Sequence, residues 1–248
     1  MAKKCLLIAV VVLLAAGLAF ANGGKETGGK LVVGTSAGFP PFEYMEFGKV
    51  TGFDIDLMKE LGARLGMEVG VKDMDFDALI EAVSTGTIDV IAAGMTITEE
   101  RAQRVDFTDA YYIADQSVLV RKGSDIKITS DADLNNPAYT IGVQNDTTGG
   151  FWVDENASQA VVKKYGKYIE CVQDLDNQNL DMIILDKPVG ETFAKNRDVK
   201  VVYTISTDEA YGLAVKKDSE LLDPLNKELK KFMGSKAWND LINKYFGE

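Results

Sequence analysis

From residue 30 onward, strand-like and helix-like segments alternate along the chain, and that alternation restricts the fold more than any single motif does. Residues 30–35 (KLVVGT) form a compact β-branched run that passes through Gly34. Phe53, Leu57, Leu61 and Leu65 then recur at four-residue steps, which lays an apolar stripe along one face of a helix. Residues 67–71 read as extended, 76–83 as helical again, and 89–93 (DVIAA) as a short buried strand. The second half repeats the grammar: a strand at 139–144, a turn at 145–150, a helix through Phe151 and Trp152, a strand near 160–164 and a helix over 169–178. Strands follow at 182–186 (MIILD), 199–203 and 211–216, and two helices, 220–233 and 235–246, flank Gly234. This pattern implies an α/β protein with mainly parallel sheets covered by helices. The architecture recurs without a sequence repeat, so two units facing each other across a cleft are expected.

The first 21 residues stand apart. Lys3 and Lys4 precede a 15-residue apolar run at 6–20, shorter than the roughly 20 residues needed to cross a bilayer. Ala19-Phe20-Ala21 then supplies a small-x-small cleavage site. The expectation is a secretory signal cut after Ala21, followed by a disordered Gly-rich leader at 22–29. Asn22 stands where lipid attachment would require a cysteine, so a free periplasmic protein is expected. Losing two lysines takes the formal charge from −11 to −13, which argues against nucleic acid and anionic lipid as partners. Cys171 is left alone and cannot form an intrachain disulfide. The chain has no histidine, the commonest general base and metal ligand. No metal site, cofactor or catalytic residue is expected.

In open α/β sheets, ligands sit beyond the carboxyl ends of strands, where loops lead into helices. Strand ends alone therefore place a candidate site where Thr35-Ser36, Ala93-Gly94, residues 144–148 and Asp186 meet.

Several segments then become recognisable: GTSAGFPPFEY (34–44), GFDIDLMKEL (52–61), FDALI (76–80) and TGTIDVIAAGMTITEER (85–101). VDFTDAYY (105–112), IGVQNDTTGG (141–150), LDMIILD (180–186) and YGLAVKK (211–217) continue in the same order. Together they resemble the amino-acid-binding family of bacterial periplasmic receptors that serve ABC transporters. The resemblance covers about 30–246. It implies a bilobed type II periplasmic-binding fold of two mixed sheets, joined by a two-strand hinge.

The resemblance also implies roles. Arg101 falls where the family clamps the ligand α-carboxylate, and a planar guanidinium can pair both oxygens at once. Its neighbour Arg104 reads as an exposed helical charge. Asp186 falls where the ligand ammonium is held; on its sequence context alone it could equally cap the next helix. Gly94 and Thr96 match positions that contact the α-groups. Thr148, with Thr147 beside it, matches a carboxylate-binding position at a helix start, where free N–H groups and the dipole favour an anion; for Thr147-Thr148 simple N-capping is the alternative. Asp146 departs from the glycine often found at its place. Phe39 and Phe76 occupy positions where rings sandwich the ligand side chain, whereas Phe42 and Phe53 read as core. Ser36 stands where several receptors for basic amino acids carry an acid. Glu43 is the nearest remaining acid on that loop and could meet a cationic or amide side chain, or simply be solvated.

The implied function is binding of a polar, possibly basic, L-amino acid and its delivery to the membrane subunits of an ABC transporter. Glutamate and aspartate are disfavoured, because no second basic residue is evident at the site. Lobe 1 is expected at 30–113 and 212–248, lobe 2 at 116–208, and the hinge near 114–115 and 209–211. A monomer is expected. The alternative is an enzyme resembling cyclohexadienyl dehydratases on the same scaffold, which would need a tuned general acid. No extra acid is convincingly placed for that role at 147–154, with Asp154 and Glu155 left as candidates.

Overall fold

The computed structural model describes residues 28–247, so the expected export signal at 1–21 lies outside the described residues. β1 (Gly28–Thr35) starts within the stretch read as leader. Gly28 pairs with Met67 of β4 (Met67–Asp73), where backbone hydrogen bonding needs no side chain. β1 also runs parallel to β5 (Val90–Ile91). β12 (Ala214–Lys216) lies antiparallel between β5 and β6 (Val105–Phe107), giving the order β4-β1-β5-β12-β6. The second sheet has the order β11-β7-β10-β8-β9. Here β8 (Thr140–Gln144) runs parallel to β9 (Val161–Tyr165) and β10 (Met182–Asp186). β7 (Tyr112–Arg121) is antiparallel to β10 and to β11 (Val199–Tyr211). Each sheet thus mixes parallel and antiparallel neighbours.

The apolar stripe at 53–65 forms α1 (Phe53–Leu65), and Phe53, Leu57 and Leu61 are fully buried. Each such side chain stabilises the fold by roughly 1.5–3 kcal/mol. Gly66 ends the helix in the left-handed region, at φ 73°. The closing helices α7 (Leu222–Met233) and α8 (Lys236–Phe246) pack onto α1, with the Trp238 ring 5.6 Å from Phe53. β10 is buried along its whole length, which explains its uninterrupted apolar run MIILD. Residues 76–83 were expected to be one helix; they are a short turn at Phe76–Ala78 passing into α2 (Leu79–Ser84). A small hairpin, β2 (Tyr44–Glu46) and β3 (Lys49–Thr51), sits outside both sheets.

The two longest strands connect the halves. β7 and β11 pair from Val199↔Arg121 to Tyr211↔Tyr112, with a break between Ile205 and Glu209. At the break, Asp115 accepts N–H groups from Thr207 (2.9 Å) and Asp208 (3.2 Å), and Asp208 adopts φ 47°. Glu209 then returns to register opposite Ala114. The far end of β11 meets the first sheet, where Thr96 bridges Tyr211 through Ile97 N–H to Ala210 O (2.8 Å) and Gly212 N–H to Met95 O (3.0 Å). Phe42, Phe53, Tyr112, Tyr211 and Phe246 fill this junction with edge and stacked ring contacts.

Candidate ligand-binding site

Strand ends of both sheets converge on one cleft. Ala93, Gly94 and Thr96 follow β5, Gln144 ends β8 with Thr147 and Thr148 after it, and Asp186 ends β10; all line it. Phe39, Glu43, Phe76, Arg101 and Tyr168 complete the wall of this narrow cleft. Ser36 is buried behind this wall and accepts a hydrogen bond from Gln144 Nε2 at 3.2 Å.

The loop after β1 presents two site residues together. Gly38 and Phe39 donate to Glu43 O (3.1 and 2.8 Å), and Phe42 and Glu43 donate back to Phe39 O (3.0 and 3.2 Å). Phe39 stacks on Tyr168 of the other lobe, with centroids 5.6 Å apart. Glu43 is 1% exposed, and its Oε2 has no hydrogen-bond partner among the described residues. Burial, with Asp54, Asp186 and Asp73 nearby, pushes this carboxyl well above the usual range.

Gly94 adopts φ 51°, and a Cβ there would lie 2.7 Å from the Phe39 ring. Its N–H is spent on Asp54 Oδ2 at 2.8 Å, leaving the carbonyl as the group that can serve a ligand. Asp54, fully buried, also accepts from Tyr111 OH, and burial raises its pKa to about 7 against those hydrogen bonds. Thr98 caps α3 (Glu99–Ala102) by accepting Arg101 N–H, which fixes the base of the Arg101 side chain. The guanidinium lies 5.3 Å over the Phe76 ring and donates to Thr96 O (2.9 Å) and Asp146 O (2.8 Å). Arg101 is 6% exposed, whereas Arg104 is exposed and pairs with Glu81 at 3.7 Å.

On the second lobe, Thr147 is the N-cap of α4 (Thr148–Asn156): its hydroxyl accepts Gly150 N–H (3.1 Å) and donates to Gln144 O (2.9 Å). The capping alternative therefore holds for its side chain. Asp146 is exposed at φ 55°, a conformation a glycine takes without strain, and only its carbonyl reaches Arg101. Asp186 precedes α6 (Lys187–Asn196) but makes no capping bond. It accepts instead from Gln116 Nε2 (3.0 Å) and from Tyr211 OH. Burial and then the nearby Glu209 raise its pKa to about 7. Burial also lowers the pKa of Arg101, opposed by Glu209, Asp186 and Asp146.

Gln116, Tyr168, Glu209 and Tyr211 escaped the sequence reading. Tyr168 lies one residue ahead of the helix expected over 169–178, and it opens α5 (Tyr168–Asp176). The other three lie on strands whose pattern reports burial, not direction. Their signal was polar residues at buried strand positions. Asp154 of α4 and its neighbour Glu155 are both exposed, with Asp154 paired to Lys164 at 2.6 Å.

The model of bacterial extracellular solute-binding proteins, family 3, matches residues 31–248. Over 263 residues the chain is 34% identical to an arginine-binding extracellular protein of Bacillus subtilis (strain 168), covering 98% of each. A solved ancestral arginine-binding protein bound to arginine is 41% identical with TM-score 0.84, covering 89% of this chain and 100% of that one. An ancestral amino-acid-binding protein described as a precursor of cyclohexadienyl dehydratase is 37% identical with TM-score 0.83, covering 88% and 96%. With the match running through both sheets and every residue of the cleft, the chain belongs to the bacterial extracellular solute-binding proteins of family 3 and has their bilobed type II fold.

Proposed function

We propose that this protein binds a basic L-amino acid, arginine foremost, by closing its two lobes on it, and presents it to the membrane subunits of an ABC transporter. The observation that carries the reading is Glu43, a fully buried carboxyl in the cleft wall with one oxygen unpartnered. A buried carboxylate without a partner is costly, and a guanidinium or ammonium on the ligand side chain would supply that partner. The charges agree. Arg101 is the one cation lining the cleft among the described residues, against Glu43 and Asp186 and with Glu209 just behind, so the charge balance favours a ligand with two positive groups and one negative. Arg101 takes the α-carboxylate, Asp186 the α-ammonium and Glu43 the side chain, while Phe39, Phe76 and Tyr168 flank the aliphatic stem. Arg101 and Asp186 come from different lobes, so the ligand favours the closed form, in which both reach it. The hinge is assigned to 114–115 and 209–211. The protein acts as a periplasmic monomer after removal of residues 1–21.

Titration calorimetry of refolded, ligand-free protein against L-arginine, L-lysine, L-glutamine and L-glutamate tests this. L-arginine should bind tightest and L-glutamate should not register. Glu43→Gln should weaken L-arginine by about tenfold or more, the value of losing a charge-assisted partner, and L-glutamine far less. Tightest binding of an acidic ligand, or no binding of any amino acid, would overturn the reading.

A further inference from the structure

Glu209 does not itself line the cleft, yet its carboxylate organises three residues around it. It comes from the crossing strand β11 just after the register break, and it is 7% exposed. Oε2 accepts the hydroxyl of Thr96 from one lobe (2.7 Å) and the hydroxyl of Thr148 from the other (2.6 Å). Oε1 accepts Gln116 Nε2 at 3.0 Å, and the same nitrogen donates to Asp186 Oδ1 at 3.0 Å.

The consequence follows from counting hydrogens. A threonine hydroxyl has one hydrogen and two lone pairs, and a carboxylate has no hydrogen to give. Both hydroxyl hydrogens are therefore committed to Glu209, at the short distances of charge-assisted O–H···O⁻ bonds. Toward the cleft, Thr96 and Thr148 offer only acceptor oxygens. Asp186 beside them, held by Gln116 and Tyr211, is an acceptor as well. That end of the site presents a ring of acceptors, which a group rich in N–H donors satisfies and a hydroxyl, keto or bare methylene group does not. The Thr148 hydroxyl is unavailable to a ligand carboxylate, which leaves only its backbone N–H at the start of α4 for that task.

We infer that Glu209 is a positioning residue that makes the Thr96 and Thr148 hydroxyls obligate acceptors and so selects ligands carrying a free α-ammonium group. This rests on the amino-acid reading above. The competing account is a strut that merely ties both lobes to the hinge and would affect every ligand alike.

Two ligands on two proteins separate these accounts: L-arginine and 5-guanidinopentanoate, which lacks the α-amino group, on wild type and Glu209→Gln. Affinities are read by calorimetry for L-arginine and by thermal shift at high concentration for the analogue, after unchanged melting of the empty variant shows that it folds. The expected result is a loss of about tenfold or more for L-arginine with the analogue changed less than about threefold, so that the preference between them collapses. Equal weakening of both ligands, or undiminished L-arginine binding, overturns the inference. Wild-type protein that binds no amino acid at all refutes the proposed function instead.

Discussion

Asp186 and Glu43 are carboxyl groups held almost free of water, and no cation of the chain makes a hydrogen bond to either among the described residues. For Asp186, burial and the adjacent Glu209 outweigh the hydrogen bonds from Tyr211 and Gln116, which leaves its pKa near 7 in the empty cleft. Arg101, Tyr168 and Glu43 are the other titratable groups lining the same space. An ammonium ion placed against Asp186 lowers its pKa, and a side-chain cation does the same for Glu43. For Asp186 the bound-state value thus lies below the free one, so its part of the affinity is full above about pH 7 and falls as pH drops through that value, and the raised Glu43 carboxyl acts in the same direction. Binding at pH 6 should release protons, and less so at pH 8. Calorimetry in two buffers of different ionisation heat reads this directly, and a proton count near zero at pH 6 would mean that both groups are already ionised in the empty protein.

At the scale of elements, the site is a set of loop entries, each fixed by a local device. Thr98 caps the four-residue α3, Thr147 caps α4, and the Phe39–Glu43 clamp holds a ring and an acid on one turn. Gly94 is the tightest of these points. Its left-handed φ and the 2.7 Å approach to the Phe39 ring leave no room for a Cβ. Gly94→Ala should cost about 1–3 kcal/mol in urea unfolding and should also push Phe39 off Tyr168, weakening ligand binding. Unchanged stability and affinity would show that the loop after β5 relaxes freely around the new methyl group.

At the scale of the whole molecule, one of the polar contacts between the lobes is an ion pair. Lys167, at the start of α5, reaches Asp73 at the end of β4 at 2.6 Å, and Asp73 also accepts Ala37 N–H at 2.8 Å. The Lys167 and Asp73 side chains are 19% and 31% exposed, so the ion pair is screened and contributes about 1 kcal/mol or less. Lys167→Ala should therefore speed ligand release by about twofold to fivefold in stopped-flow measurements, with the melting of the empty protein unchanged. Raising the salt concentration should bring the wild-type rate toward that of the variant. A release rate that ignores both changes would place the closing contacts elsewhere, at Arg101–Asp146 or Phe39–Tyr168.

The sequence by itself determined the α/β alternation, the apolar stripe of α1, the buried run of β10 and the strand ends that border the cleft. These are local properties, written in the spacing of apolar residues and in glycine, proline and threonine at turns. Strand ends also singled out Asp186, and the family resemblance added Arg101, with Glu43 as the nearest acid on the Phe39 loop, although neither showed that Glu43 would be sealed from water. Only the tertiary structure decided the rest. Glu209, Gln116 and Tyr211 act through partners 25 to 113 positions away in the chain, and no local pattern reports which way a buried polar side chain on a crossing strand points. The register break beside Asp115 returns Glu209 to pairing opposite Ala114, and the packing of two lobes decides which hydroxyls meet it. Burial then converts ordinary carboxyls into ones that lack a cation, a property of the closed shape and of no single segment.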